Sequence, residues 1–128
     1  MRSKRVQLTT GSDLEADFAY SRAVVAGDWC FVSGVTGYDY ATMTMPDTAA
    51  DQAEQCFVTV GAVLADAGFA IADIVRVQYT ITETDFLTTL KPVLQRHLGA
   101  VRPAATMVVA GLIRPEMQIE IEVTAFRG

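Results

Sequence analysis

Glu120 and Glu122 stand two residues apart in the alternating segment Met117 to Phe126, so both carboxylates leave one face of a strand. On an open edge such a pair is two solvated charges. Against an interface, one of them loses water, its pKa rises, and it becomes a general acid or base near neutral pH. Ser33 and Gly34 end the run Trp29 to Gly34, with Gly37 close behind. They either turn the chain or offer backbone N–H groups to an anion or carbonyl oxygen. Tyr20 and Arg22 share a side of an extended segment, and Arg102 precedes Pro103, a position that favours extended backbone. Each arginine would either bind a carboxylate with its forked donors or make a surface salt bridge. His97, near the end of a helical stretch, suits the helix dipole. A single histidine and two cysteines without Cys-x-x-Cys spacing argue against a zinc site. No Gly-x-Ser-x-Gly elbow signals a serine hydrolase.

These residues need positioning by recognisable elements. Ala23–Ala26 and Trp29–Gly34 read as strands joined by a Gly27-Asp28 turn. Thr48 and Asp51 approximate a capping box, opening a helix whose apolar stripe runs through Ala49, Ala53, Cys56, Phe57, Val60, Val63, Leu64 and Ala67. Gly68 ends it. Ile74–Thr82 alternates, with Val75, Val77, Tyr79 and Ile81 on one face. A second helix carries Phe86, Leu90, Val93, Leu94 and Leu98, contains Pro92 and closes at Gly99. Pro103–Leu112 and Met117–Phe126 complete a β-β-α-β-α-β-β string, a single α+β domain over residues 1–128. Two amphipathic helices pack on one face of such a sheet. The segment Ala104–Gly111 is apolar at nearly every position, which predicts protein on both of its sides and self-association through the helix-free face.

Composition narrows the function. The chain carries a formal net charge of -5, and its pI is about 4.7. Its basic cluster is Arg2, Lys4 and Arg5, read as a solvated, frayed tail. Nucleic acid is not the expected partner, since phosphate neutralisation needs a basic surface. No apolar run approaches a membrane span, and the N-terminus lacks the apolar core of a secretory signal. Cys30 and Cys56, both in apolar runs, read as buried free thiols, and a cytoplasmic setting is expected.

Phe31-Val32-Ser33-Gly34, Asp51-Gln52-Ala53-Glu54-Gln55, Ala72-Asp73-Ile74-Val75-Arg76-Val77, Thr84-Asp85-Phe86, Arg102-Pro103-Ala104 and Ile119-Glu120-Ile121-Glu122 together resemble the RidA (YjgF, endoribonuclease L-PSP) family over nearly the whole chain. The resemblance implies a chorismate-mutase-like subunit, with two helices on one face of a mixed sheet. It also implies a barrel-cored homotrimer with a small-molecule ligand in each intersubunit cleft, and no metal or organic cofactor. Family members hydrolyse reactive enamines and imines to 2-oxo acids and ammonia. Carried over by position, Glu120 is the catalytic, water-positioning residue, and Tyr20, Ser33, Gly34 and Thr106 line the cleft. The arginine that grips the substrate carboxylate is replaced by Ala105, and a cysteine found in some members by Met107. The Tyr20-Ser21-Arg22-Ala23-Val24 run resembles a branch without that arginine, in which Arg22 would either bind an acidic group or serve the structure. An enamine or imine hydrolase with a non-standard substrate is the leading expectation. A non-catalytic metabolite-binding or regulatory trimer is the alternative. Ribonuclease activity, a label the family carries, fits the acidic chain poorly.

Overall fold

In the computed structural model, which describes residues 5–128, one six-stranded sheet backs two long helices. The elements are β1 (Arg5–Leu8), α1 (Asp13–Asp17), β2 (Ala23–Ala26), β3 (Trp29–Thr36), α2 (Ala49–Asp66), β4 (Ile74–Ile81), α3 (Leu87–Leu98), β5 (Ala104–Val109) and β6 (Ile119–Phe126). Strand order is β1-β2-β3-β6-β4-β5, with β4 and β5 parallel and every other pair antiparallel. The expected string is present, preceded by β1 and α1. Arg5 pairs with Ala26 and so belongs to the sheet rather than to a frayed tail; Arg2 and Lys4 lie outside the described residues. No helix among the described residues is long and apolar enough to cross a membrane.

The core lies between the sheet and α2 and α3. Thr48 caps α2 by accepting from the Asp51 N–H, and Gly68 reverses the chain at φ +83°. The predicted stripe is buried from Ala49 to Leu64, and Ala67 at its end is half-buried. Cys56 donates to the Val35 carbonyl of β3 at 3.3 Å. Burial raises the thiols of Cys30 and Cys56 above their ordinary range; at Cys56 the charge of Glu120 adds to the effect. On β6, Ile119, Ile121, Val123 and Ala125 face the helices.

Three local expectations change. Between Ile74 and Arg76 the register against β6 shifts, so Ile74 enters the core and Val75 is exposed. The second helix closes at Gly99 with ordinary helical φ, and the left-handed residue is Arg102, at φ 53°. Arg102 is therefore not held extended by Pro103. Its N–H instead bonds back to the Leu98 carbonyl, which ends the helix. Third, β5 is an edge strand whose Val108 and Val109 are exposed, so in the single chain it lacks the second protein layer expected of it.

Gln52 ties the loop after β3 to the start of β6. It is 1% exposed and donates to the carbonyls of Pro46 and Glu116, both at 3.0 Å, while accepting from the Gln118 N–H at 2.9 Å. Gly37 makes room for it, since a Cβ there would lie 2.6 Å from Gln52 Cβ. Gln52→Leu keeps the volume and strands those backbone groups. It is expected to cost roughly 1–3 kcal/mol for each group that water does not reach. The check is a urea titration, in which the midpoint should fall at unchanged slope.

Candidate functional site

Strand alternation sends Glu120, Glu122 and Thr124 away from the helices. The sheet register extends that face. Glu122, Gln78 and Thr106 lie in one row across β6, β4 and β5, and Glu120, Thr80 and Val108 in the next. A cavity of about 490 Å³ opens here. Glu120, Ser33, Gly34 and Tyr20, all candidate site residues from the sequence, contribute to it, as does Glu122. Leu14 and Phe18 of α1 and Ile113 and Arg114 of the turn before β6 complete the wall.

Glu120 is half-buried, and among the described residues no group donates a hydrogen bond to its carboxylate. Burial raises its pKa above the ordinary carboxylate range. Glu122 adds to the rise, and Arg22 opposes both. Gly34 explains how the carboxylate fits. A Cβ at Gly34 would lie 2.6 Å from the Glu120 carboxyl carbon and 2.8–2.9 Å from its oxygens. Only a residue without a side chain lets the β3 backbone meet the carboxylate so closely. The register of β3 against β6 breaks between Val32 and Val35, so Ser33 and Gly34 sit in a bulge within the strand rather than at its end.

The bulge is tied from behind. Ser33 Oγ donates to the Ser21 carbonyl at 2.6 Å, and its N–H donates to the Arg22 carbonyl at 2.9 Å. That N–H is thus engaged, and does not await an anion. Arg22 Nη1 donates to the Gly34 carbonyl at 2.8 Å. Nη2 donates to the Tyr20 hydroxyl at 3.4 Å, and the guanidinium lies 4.8 Å from the centre of the Tyr40 ring. Glu15 of α1 balances the charge, with Oε2 3.6 Å from Arg22 Nε. Burial of Glu15 works against its ionisation, but hydrogen bonds from Thr10 and Thr9 and the Arg22 charge outweigh it and hold its pKa low. Arg22 is only 1% exposed. It touches Tyr20, as their spacing predicts, but as a buried strut rather than as a surface pair or an open anion site.

The other expected site residues lie apart. Ala105 alternates to the helix side of β5, where it borders a depression with Val77, Leu94 and Leu98. Met107 shares that side and packs against the core. Thr106 shares the Glu120 face, two strands away. One chain therefore does not bring Ala105, Thr106 or Met107 into the Glu120 cavity, because β4 intervenes and alternation turns two of the three away. Arg102 also borders the Ala105 depression. His97 binds Glu54 at 2.8 Å and stacks on Phe57, tying α3 to α2.

Sequence reasoning passed over Arg114. Its side chain is half-buried, and its Nη1 donates to the Tyr38 hydroxyl at 3.4 Å. The Tyr38 hydroxyl in turn donates to Glu116 at 2.6 Å. Only the proximity of Arg114 to Glu120 in a turn before the strand hinted at it. Also unforeseen is an aromatic group on the helix-free face, where exposed Trp29 lies 4.5 Å from Phe126 and 6.2 Å from Phe31 between ring centres.

Fold and cavity together define an α+β subunit of chorismate-mutase-like architecture with a small-molecule-sized pocket on its helix-free face. A family model described as endoribonuclease L-PSP matches residues 10–127, and the chain belongs to that family, also called RidA or YjgF. A solved structure from Mycobacterium tuberculosis, described as a member of the YjgF/YER057c/UK114 family, superposes with a TM-score of 0.88 at 30% identity, covering 97% of this chain and 100% of that one. An uncharacterised protein of Streptomyces coelicolor is 29% identical over 98% of this chain and 92% of its own. A 2-iminobutanoate/2-iminopropanoate deaminase of Bos taurus is 24% identical over 85% of this chain and 80% of its own.

Gly34→Ala tests the close approach. The Glu120 side chain is flexible at its end, so the variant is expected to fold with an unfolding free energy within about 1 kcal/mol of the parent's. Its Glu120 carboxylate should be displaced, and a crystal structure of the variant checks this.

Proposed function

We propose that this chain is a RidA-type hydrolase of an enamine or imine, with Glu120 as the base. The observation that carries the reading is a half-buried carboxylate of raised pKa, free of hydrogen bonds from the described residues, in a cavity with apolar walls. The deaminase name of the bovine relative agrees with that chemistry. In the proposed reaction the enamine first tautomerises to its imine. Glu120 then takes a proton from water as the water oxygen attacks the imine carbon, and the C=N π pair moves to nitrogen, which receives that proton back from Glu120 to give a neutral carbinolamine. Glu120 next takes the carbinolamine hydroxyl proton as the O–H pair forms the carbonyl and the C–N bond breaks. The same proton passes from Glu120 to the departing nitrogen, which leaves as ammonia. Gly34 and Tyr20 bound the space in which the substrate lies.

The working form in this reading is a homotrimer. The exposed Trp29, Phe31 and Phe126 on the helix-free face, and Val108 and Val109 on the β5 edge, are apolar surface that sister subunits would cover. Assembly would also bring Thr106, and with it the neighbouring Ala105 and Met107 region, toward a cleft that one chain leaves open.

Glu120→Gln is expected to lower imine hydrolysis by about 10²–10⁴-fold, measured as ammonia release. The same variant should be more stable at neutral pH. A raised folded-state pKa means that the protonated form favours folding, an advantage lost as pH rises through that value. Neutral glutamine avoids the loss, so its unfolding temperature should exceed the parent's at pH 7 and match it below about pH 4. Hydrolysis unaffected in Glu120→Gln would dismiss the reading.

The pH profile supplies a separate check. Activity should fall on the acid side as Glu120 becomes protonated. Glu122→Gln removes a neighbouring negative charge that helps to raise the Glu120 pKa. Its acidic limb should therefore move to lower pH, visible in kcat/KM against pH.

A further inference from the structure

We infer that a second ligand site lies on the helix side of the sheet, between α2 and the chain leaving β1, and that it takes a small uncharged carboxamide. The site is separate from the Glu120 cavity and does not rest on the hydrolase reading. A cavity of about 240 Å³ opens there. Leu8, Thr10 and Tyr40 contribute one wall, α2 contributes Val58, Ala62 and Asp66, and the buried Arg22 is its floor.

The first observation is an orphaned donor. Arg22 spends Nη1 on the Gly34 carbonyl and Nη2 on the Tyr20 hydroxyl, but its buried Nε donates to no group among the described residues. Glu15 Oε2 stands off at 3.6 Å. The Tyr40 ring, 4.8 Å from the guanidinium, holds the group in place. A buried N–H left in this way calls for an acceptor. A single water would take up only about 30 Å³, so the cavity admits a ligand of several heavy atoms.

The second observation is the balance of charge. The charged residues that line the cavity are Arg22 and Asp66, and Glu15 already faces Arg22. An anion would meet two carboxylates, with one donor on offer in place of a fork. A neutral carbonyl oxygen loses less hydration on entry and needs only that one donor. The exposed Asp66 carboxylate at the mouth accepts N–H bonds, as does the Thr10 hydroxyl, whose own proton goes to Glu15. An acceptor oxygen joined to an NH₂ group is a carboxamide.

The third is apolar surface in the wrong place. Val58 is 62% exposed on α2, and Leu8 and Ala62 carry that surface into the cavity. A short branched alkyl group on the amide would cover it.

The test is an NMR titration of the isotope-labelled full-length protein with 2-methylpropanamide and, separately, with 2-methylpropanoate, its anionic counterpart. The Arg22 Nε–H signal, identified by its nuclear Overhauser effect to the Tyr40 ring, should move saturably with the amide. The backbone N–H signals of Thr59 and Ala62 should move with it. The amide should bind at least about tenfold more tightly than the carboxylate. Ala62→Leu fills the cavity from an exposed helix position and should weaken the amide by at least about tenfold. Asp66→Ala should weaken it roughly two- to tenfold. An unmoved Nε–H signal, equal affinity for the two ligands, or undiminished binding to Ala62→Leu overturns the inference. So do shifts confined to Ile113 and Glu122, which would put the amide in the Glu120 cavity instead.

Discussion

One guanidinium holds together three segments that the sheet alone would leave independent. Arg22 donates to the Gly34 carbonyl of β3 and the hydroxyl of Tyr20, and faces the carboxylate of Glu15 from α1. A charge so deeply buried loses several kcal/mol of hydration, and that loss is offset only by an opposite charge and well-placed acceptors. Glu15 and its threonine partners supply the first, and the bulged strand supplies the second. The chain must therefore fold α1 down and bulge β3 together, because either half alone strands a charge. The bulge brings the Gly34 backbone against Glu120. Arg22 thus helps to hold the backbone that meets the Glu120 carboxylate, while its own buried Nε has an ion-pair neighbour in Glu15 but no hydrogen-bond partner among the described residues.

Charge placement then divides labour among the arginines. Arg22 is spent on architecture and acts on Glu120 only through space, tempering the rise that burial and Glu122 impose. Arg96 binds Glu54 on the outer surface of the helices, where solvent screens the pair. Arg114 reaches the pocket wall with donors still free. Residue type alone did not separate these roles; burial and partners did.

Much of the fold was legible because its elements are long and periodic. The β6 alternation from Ile119 to Ala125 and the α2 stripe from Ala49 to Leu64 survive unchanged in the structure. The failures are local. β1 has four residues and α1 has five, too short for a period to emerge. Val75 was assigned to the wrong face because a bulge adds one residue without any glycine or proline to announce it. At the site, strand alternation put Glu120 and Glu122 on one face, while the family resemblance, not spacing, singled out Tyr20, Gly34 and Glu120 as cleft residues. Arg114 was not legible, because what orients it is Tyr38, 76 residues earlier in the chain. Ala105 and Met107 were expected in a cleft between subunits, and within one chain alternation turns them to the side of the sheet away from Glu120.

The two cysteines carry a consequence of their own. Cys30 lies in β3 and Cys56 in α2, both at 0% exposure and both with thiols made less acidic by burial. A thiolate is the form that reacts with alkylating agents, so each sulfur is silent while its element stays packed. Each becomes a clock for the opening of its own element, since labelling can proceed only through transiently exposed states. Because one clock sits in the strand that carries Gly34 and the other on the helix beneath it, their relative rates would tell whether the site frays by itself or opens only when the whole domain does.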